Sequence, residues 1–208
     1  ISCVAFLSIK GYETDKLKDI IEEKINKVET DINLKLTKIK IKIEIKSLDL
    51  FFSTNEANLI YKDFDIPIKD IKIYLHGPSL IQSEIYIKKL SLKVENLKVK
   101  TIQDFATRIK PSNFKSFILN NVNNGDISSA LDFVFTKDLK IKEYKVKGSS
   151  KNIDIKIVEN YSLNNSNFNF LADNNLILIN SIEANIKNIP ISNGSIEIQR
   201  QKNIIING

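Results

Sequence analysis

The chain has 208 residues, which is enough for one large β domain or two small ones. It contains 37 Ile and 24 Asn but only 6 Gly, and 27% of its residues are charged, so its composition is not that of a disordered chain. Cys3 is the only cysteine, which excludes an internal disulfide. One cysteine and one histidine do not make a metal site at ordinary ligand spacing, and we expect no cofactor.

The net charge of +6 raises the question of nucleic-acid binding. The lysines alternate with isoleucines along predicted strands, and only Arg108 and Arg200 have the side chain for a bidentate contact with a base. Lysines on a solvated sheet face also discourage edge-to-edge pairing of sheets. We therefore expect no nucleic-acid partner.

Residues 1–9 are apolar throughout, and the run ends at Lys10 and Gly11. This segment is too short to cross a bilayer, which takes ~20 residues. We interpret 1–10 as the remnant of a truncated membrane anchor or signal sequence. The alternative is a short, buried first strand.

A helix is predicted over 14–28, with Thr14 as a candidate N-cap. Its acidic residues come early and its lysines late, which suits the helix dipole and makes an anionic membrane a poor partner. We expect its apolar face to pack on the following sheet. Helical spacing places five residues on that face: Leu17, Ile20, Ile21, Ile25 and Val28.

Alternation of apolar and charged residues over 34–46 is the clearest structural signal in the chain. Successive side chains of a strand point to opposite faces, so one face is apolar and the other carries lysines. Further strands are predicted over 48–53, 57–62, 68–75 and 85–99. In the last of these the apolar positions change parity, which predicts bulges or a bend near Lys88 and Lys89 and near Asn96.

A helical insert is predicted over 101–123, where Pro111 stops one helix and Ser112 caps the next. Strands return at 127–135, 139–146, 153–158, 162–171, 176–179, 182–186 and 194–199, with turns predicted at 147–150, 164–165, 173–175 and 193–194. The expected fold is mainly β. We predict a curved, open, groove-like antiparallel sheet with an N-terminal amphipathic helix and a short helical insert, in a single β-groove domain over 11–208.

The sequence offers no catalytic constellation, and we predict that the protein is not an enzyme. His76 ends a predicted strand without a nucleophile or carboxylate motif beside it. Asp63 and Asp65 flank Phe64 in a predicted loop, but their spacing matches no calcium-binding loop.

Two outcomes compete for the apolar face. Two sheets packed face to face would make it the core of a closed β-sandwich, a structural or adhesion domain without a ligand, and periodicity alone favours this outcome. A single bent sheet would leave the face open to bind an apolar ligand. A soluble carrier that shields one lipid in a pocket is a third interpretation.

The order of elements resembles the N-terminal region of AsmA-superfamily proteins, in particular the YhdP and TamB-like members of diderm bacteria. An apolar stub, an amphipathic helix, long Ile/Lys strands, a helical insert and further strands follow one another over essentially the whole chain. The nearest local likeness is at 110–114, which leads through 117–122 into Gly125, Asp126 and Ile127.

This resemblance implies a periplasmic lipid-transfer segment anchored in the inner membrane, with an apolar concave face that carries phospholipid acyl chains between the inner and outer membranes. It implies phospholipid and membrane as partners, with outer-membrane or periplasmic proteins beside them, and it implies no catalytic residues. The missing part of the anchor is the departure from the family. The candidate groove lining is Ile39, Ile41, Ile43, Ile45, Ile71, Ile73, Ile85, Ile87, Leu90, Leu92, Val94, Ile153, Ile155 and Ile157.

Overall fold

The computed structural model describes residues 2–14, 18–27, 31–45, 49–54, 57–76, 86–199 and 204–207. Its elements begin with α1 (Ser2–Ile9), β1 (Tyr12–Glu13), α2 (Lys18–Asn26), β2 (Ile32–Leu36), β3 (Lys40–Ile43), β4 (Leu50–Thr54), β5 (Ala57–Tyr61), β6 (Phe64–Ile66), β7 (Asp70–Leu75) and β8 (Ile87–Lys98). They continue with α3 (Val99–Arg108), α4 (Asn113–Asn121), β9 (Val122–Asn123), β10 (Asp126–Phe135), β11 (Ile141–Val158), β12 (Tyr161–Asp173), β13 (Leu176–Ile186), β14 (Ile189–Gln199) and β15 (Ile204–Asn207).

The fold is mainly β, with a large open antiparallel sheet and a few short helices, as predicted. The strands of this sheet follow the order β1-β3-β4-β7-β8-β10-β11-β12-β13-β14-β15, and β9 pairs with β11 outside that path. A second, three-stranded sheet has the order β2-β5-β6.

The chain packs as two compact units. Unit 1 comprises Ile1–Val94 and Leu131–Tyr144, and unit 2 comprises Glu95–Ala130 and Lys145–Gly208. β8, β10 and β11 contribute residues to both units. The single β-groove domain over 11–208 stays a prediction.

The apolar N-terminal run forms the helix α1, which rules out a first strand there. Phe6 and Ile9 of this helix are exposed. None of the described helices has the length and apolar character needed to cross a bilayer. The interpretation of 1–10 as part of an anchor stays a prediction.

The alternating segment 34–46 is not one strand, which corrects the prediction. Its first part belongs to β2 in the small sheet, and its second part is β3 in the large sheet. Leu34, Leu36 and Ile39 are all buried, although the step from 36 to 39 breaks the two-residue period. The chain changes sheets at that step, so the strand pattern restarts one residue out of phase.

A closed core forms in unit 1 between the large sheet, the small sheet and α2. Ile21 and Ile25 of α2 belong to this core, so the predicted packing of the helix on a sheet is confirmed. The Leu34 amide donates to Asn26 Oδ1 at 2.7 Å, and the Leu36 amide donates to Glu22 Oε1 at 2.6 Å. The helix therefore satisfies amides along β2, an edge strand of the small sheet.

The bulge predicted near Lys88 is present in β8, and the backbone is irregular at the second predicted position, Asn96. Tyr74 pairs with Lys89 and Leu75 pairs with Ile87, so Lys88 is the extra residue between two pairs. Asn96 has φ +50°, in the left-handed region that asparagine tolerates better than most residues. The two irregularities explain the change of apolar parity along this strand.

The helical insert of unit 2 agrees with the prediction, but three of the predicted turns do not. Ser112 Oγ accepts a hydrogen bond from the Lys115 amide, which is the predicted cap of α4. The turns predicted at 147–150, 164–165 and 193–194 lie inside the long strands β11, β12 and β14 instead. Of the four predicted turns, the one at 173–175 is a turn in the structure, where Asp173 Oδ1 accepts from the amides of Asn175 and Leu176.

Candidate functional site

Most of the predicted groove lining in unit 1 is closed core. Ile39, Ile71 and Ile73 are each 1% exposed and Ile87 is 2% exposed, and all four belong to one cluster with residues of α2 and β2. The structure therefore corrects their assignment to an open lining, because α2 and the small sheet cover this face. Alternation identified the apolar face correctly but did not show what covers it.

The other predicted lining residues of unit 1 are less uniform. Ile41, Leu90 and Leu92 are partly buried against the same core. The remaining positions range from buried to exposed or lie outside the described residues: Val94 is buried, Ile43 is half-buried, Ile45 is exposed, and Ile85 is not among the described residues.

The three predicted lining residues of unit 2 lie on β11 at different depths. Ile153 is buried in a cluster with Val99 and Ala106 of α3 and Ile118 of α4. Ile155 packs partly buried against that cluster, whereas Ile157 is 50% exposed. Helices α3 and α4 therefore cover this part of the face, and it is not an open lining.

A line of irregularities crosses the sheet of unit 2. Asn152 of β11, Asn165 of β12, Ser181 of β13 and Asn193 of β14 all have φ between +51° and +56°. The strand pairings change register at each of these positions. We call this set the bulge line. Bulges increase the local twist and bend of a strand, so their alignment concentrates bending along one line across the sheet.

Side chains at the bulge line satisfy amides that the strand ladder leaves unpaired. Asp154 Oδ1 accepts from the Asn165 amide at 2.9 Å, and its Oδ2 accepts from Asn124 Nδ2 at 2.9 Å. Asn167 Oδ1 accepts from the Asn152 amide at 3.0 Å. The asparagines of these strands therefore have two roles: they adopt the left-handed backbone conformation at the bulges, and their side chains form local hydrogen bonds.

The bulge line divides one face of this sheet into two halves. On one side lie Ile153, Ile182 and Ala184, all of which are buried, and Ser166 and Gly194, directly beyond the line, are buried as well. Farther from the line the face continues without a charged side chain, and its residues are only partly buried. We call this second part the open half, and its residues are Phe170 and Ala172 of β12, Ile177 and Ile179 of β13, and Ile196 and Ile198 of β14.

Cross-strand pairs build the open half. Phe170 pairs with Ile179, and Ile179 pairs in turn with Ile196. On the other side Phe170 pairs with Gly148 of β11. A Cβ at Gly148 would lie 2.5 Å from Phe170 Cζ and 2.2 Å from the Ser128 carbonyl oxygen, so the glycine makes room for the ring.

The opposite face of the same strands is mixed in character. Asp173 pairs with Lys145, and Leu178 pairs with Glu197. Asn169 on this face is exposed. The two faces of one sheet therefore differ in charge, and the open half is the apolar side.

Asp63 and His76, which were weighed as possible catalytic or metal-binding residues, lie in unit 1 and not on the open half. Asp63 has φ +61° in the turn between β5 and β6, and His76 lies edge-on to Tyr86 with ring centroids 5.6 Å apart. Among the described residues no group of three His, Cys, Asp or Glu side chains is placed to hold a metal ion.

The open half was not predicted from the sequence, although the spacing of its apolar residues indicates that they share a face. Apolar residues two positions apart occur in each of the three strands: Phe168 and Phe170, Ile177 and Ile179, and Ile196 and Ile198.

Comparison of the chain with family models, with curated proteins and with solved structures finds no match.

Proposed function

We propose that this chain is a segment of a membrane-anchored periplasmic lipid-transfer protein, in which the open half of unit 2 carries phospholipid acyl chains between the inner and outer membranes. The observation that carries the proposal is a charge-free apolar surface on β12, β13 and β14 whose side chains are only partly buried. The likeness in element order to the AsmA superfamily supports the same function.

The mechanism is physical. Moving an acyl chain from a membrane into water costs ~0.8 kcal/mol per CH₂, and contact with aliphatic and aromatic side chains removes part of that cost. Three neighbouring strands span about 10 Å, and the one step of two residues that the open half covers along each strand spans about 7 Å. The open half is therefore wide enough to lie along one part of an acyl chain while the headgroup stays in solvent.

The proposal moves the lipid contact away from much of the lining that alternation suggested. In unit 1 the residues of that lining are held in a closed core by α2 and β2. Lipid entry there would require this core to open. In unit 2 the open half requires no rearrangement.

Photo-crosslinking tests the proposal directly. A photoreactive amino acid at Ile179 or Ile196, on the open half, is expected to capture phospholipid. The same amino acid at Asn169 or Glu197, on the opposite face of the same strands, is the matched control and is expected to capture little. Labelling is measured by mass spectrometry of the irradiated full chain. Equal labelling of the two faces would contradict the proposal.

A second candidate function is a structural or adhesive β domain without a ligand. The closed core of unit 1 favours it, because Ile71 and Ile73 are sealed as in an ordinary protein interior. Under this alternative neither face of unit 2 captures lipid.

A further inference from the structure

Large exposed apolar side chains are concentrated at one place in unit 2. Among the described residues of this unit six such side chains are exposed, with exposed fractions from 42 to 67%. They come from helix α4 and from the ends of strands β11 to β14: Phe114, Phe117, Ile157, Val158, Tyr161 and Ile189.

The strand pairing brings the four exposed strand residues, Ile157, Val158, Tyr161 and Ile189, to the same end of the sheet. Val158 pairs with Tyr161 at the turn between β11 and β12, and Ile186 pairs with Ile189 at the turn between β13 and β14. Since β12 and β13 are antiparallel neighbours, both turns lie at one end. Lys187 Nζ lies 4.0 Å from the centroid of the Tyr161 ring and joins the two turns.

Helix α4 is tied to this end of the sheet. Asn121 Nδ2 donates to the Lys156 carbonyl oxygen at 2.8 Å, and Val122 pairs with Ile155 directly after the helix. Ile118 faces the core of unit 2, whereas Phe114 and Phe117 of the same helix are exposed. We define the turn end as residues 108–117, 156–161 and 186–190.

The turn end is basic. It contains five cationic residues and one carboxylate, and the carboxylate is Glu159. Lys115 Nζ donates to the carbonyl oxygens of Thr107 and Ile109, which fixes the connection between α3 and α4. The cationic residues are Arg108, Lys110, Lys115, Lys156 and Lys187.

We propose that the turn end is a membrane-docking surface that binds an anionic lipid bilayer. Exposed aromatic and aliphatic side chains beside lysines are the combination that holds a peripheral protein at the boundary between headgroups and acyl chains. The positive charge favours lipid phosphate as the partner. If the turn ends of two copies of this chain met, the five cations of one copy would lie close to the five of the other and repel them.

This inference goes beyond the proposed function, since it assigns a surface and a partner that lie on the other side of the bulge line from the open half. It rests on the proposed function only for the expectation that lipid is the partner. The two can therefore fail separately.

Vesicle co-sedimentation of the full chain tests the docking surface. Large unilamellar vesicles of phosphatidylcholine with about one third phosphatidylglycerol are compared with phosphatidylcholine alone. The unaltered chain is expected to bind the anionic vesicles more tightly, and binding is expected to weaken as salt is raised. The double variant Phe114→Ser with Phe117→Ser is expected to lose about tenfold or more in partitioning. Lys156→Glu is expected to lose at least about fivefold.

Matched controls are available in unit 1. Ile141 is 58% exposed and Lys137 is exposed, and neither lies at the turn end. The variants Ile141→Ser and Lys137→Glu are expected to bind vesicles like the unaltered chain. Circular dichroism checks that every variant is folded, which is expected because the replaced side chains are exposed.

Two outcomes would overturn the docking surface. One is vesicle binding that the turn-end variants and the unit 1 controls change to the same extent. The other is that the turn-end variants bind vesicles like the unaltered chain but have a lower molecular mass than it in sedimentation velocity. That result would assign the turn end to contact between copies of the chain.

A third measurement separates this inference from the proposed function. Capture of phospholipid by a photoreactive residue at Ile179 is repeated in lipid–detergent micelles, where no bilayer is present. Capture that persists in the Phe114→Ser and Phe117→Ser double variant, together with lost vesicle binding, supports both proposals. Vesicle binding by the unaltered chain without any capture at Ile179 supports docking and contradicts lipid transfer by the open half.

Discussion

Both units contain apolar strand faces, but the face in unit 1 is covered by other elements and the open half in unit 2 is only partly buried. In unit 1, Ile71 and Ile73 lie under α2 and the small sheet and are almost fully buried. In unit 2, Ile177 and Ile179 have the same spacing on a strand but are only half-buried. Alternation therefore determines which side chains share a face, whereas the elements packed on that face determine whether it is a core or a surface.

The largest expected difference between the units is the cost of a buried charge. Ile73→Asp is expected to lower the free energy of unfolding by more than ~4 kcal/mol, because it places an unpaired carboxylate in a closed core. Ile179→Asp is expected to cost about 1–2 kcal/mol, since water reaches this position. Urea unfolding followed by circular dichroism measures both. Equal losses would mean that the open half is covered as fully as unit 1.

A second test concerns the support of the open half. Gly148→Ala is expected to cost about 3 kcal/mol, because a Cβ at this position would collide with the Ser128 carbonyl oxygen and the Phe170 ring. Gly194→Ala is the matched control. The nearest atom to a Cβ there, Ile182 Cβ, would be at 3.4 Å, an ordinary contact. A cost below ~1 kcal/mol is expected for the control, and the reverse order would contradict this description of the sheet.

A third test addresses the bulge line that separates the two halves of unit 2. Asp154→Ala removes the acceptor of the Asn165 amide and of Asn124 Nδ2, and is expected to cost about 1–3 kcal/mol in urea unfolding. Ser166→Ala is the control, because the Ser166 hydroxyl is buried without a hydrogen-bond partner among the described residues. Its replacement is expected to be neutral or slightly stabilising, and a larger loss than for Asp154→Ala would argue against the role of the carboxylate.

The smallest expected effect concerns Tyr74, which pairs with Lys89 in unit 1. Burial, followed by the nearby carboxylates of Glu44 and Asp132, raises the pKa of Tyr74 from 10.0 to about 12. The unfolded chain therefore loses the phenol proton first, so this contribution to stability is present below pH 10 and is lost as the pH rises to about 12. In the Tyr74→Phe variant the free energy of unfolding is expected to fall less steeply between pH 10 and pH 12 than in the unaltered chain, as measured by urea unfolding at several pH values. An identical decline in the variant would assign it to other groups.

Much of the fold follows from the sequence because local patterns specify it. Alternation predicts the strands, and Ser112 after Pro111 predicts the start of α4. The change of sheets after Leu36 was not predicted, because a three-residue step between buried positions also fits a bulge in one strand. Asn165 and Asn193 were interpreted as turns, since an asparagine in left-handed backbone has the same local signature in a turn and in a bulge.

The candidate site was less predictable than the fold. Ile71 and Ile177 each share a strand face with the isoleucine two residues further on, and the packing of α2 and β2 on one of these faces makes Ile71 a core residue. That packing depends on contacts between residues distant in sequence. Local propensity carries no information on it, so the sequence identifies apolar faces but not which of them stays open.

The alignment of left-handed residues in β11 to β14 has a consequence for how such a sheet grows. Each strand contributes its own irregular residue at nearly the same height, so the bend is specified strand by strand and not by any single connection. Duplicating one hairpin, such as β12 with β13, would lengthen the array without resetting its curvature.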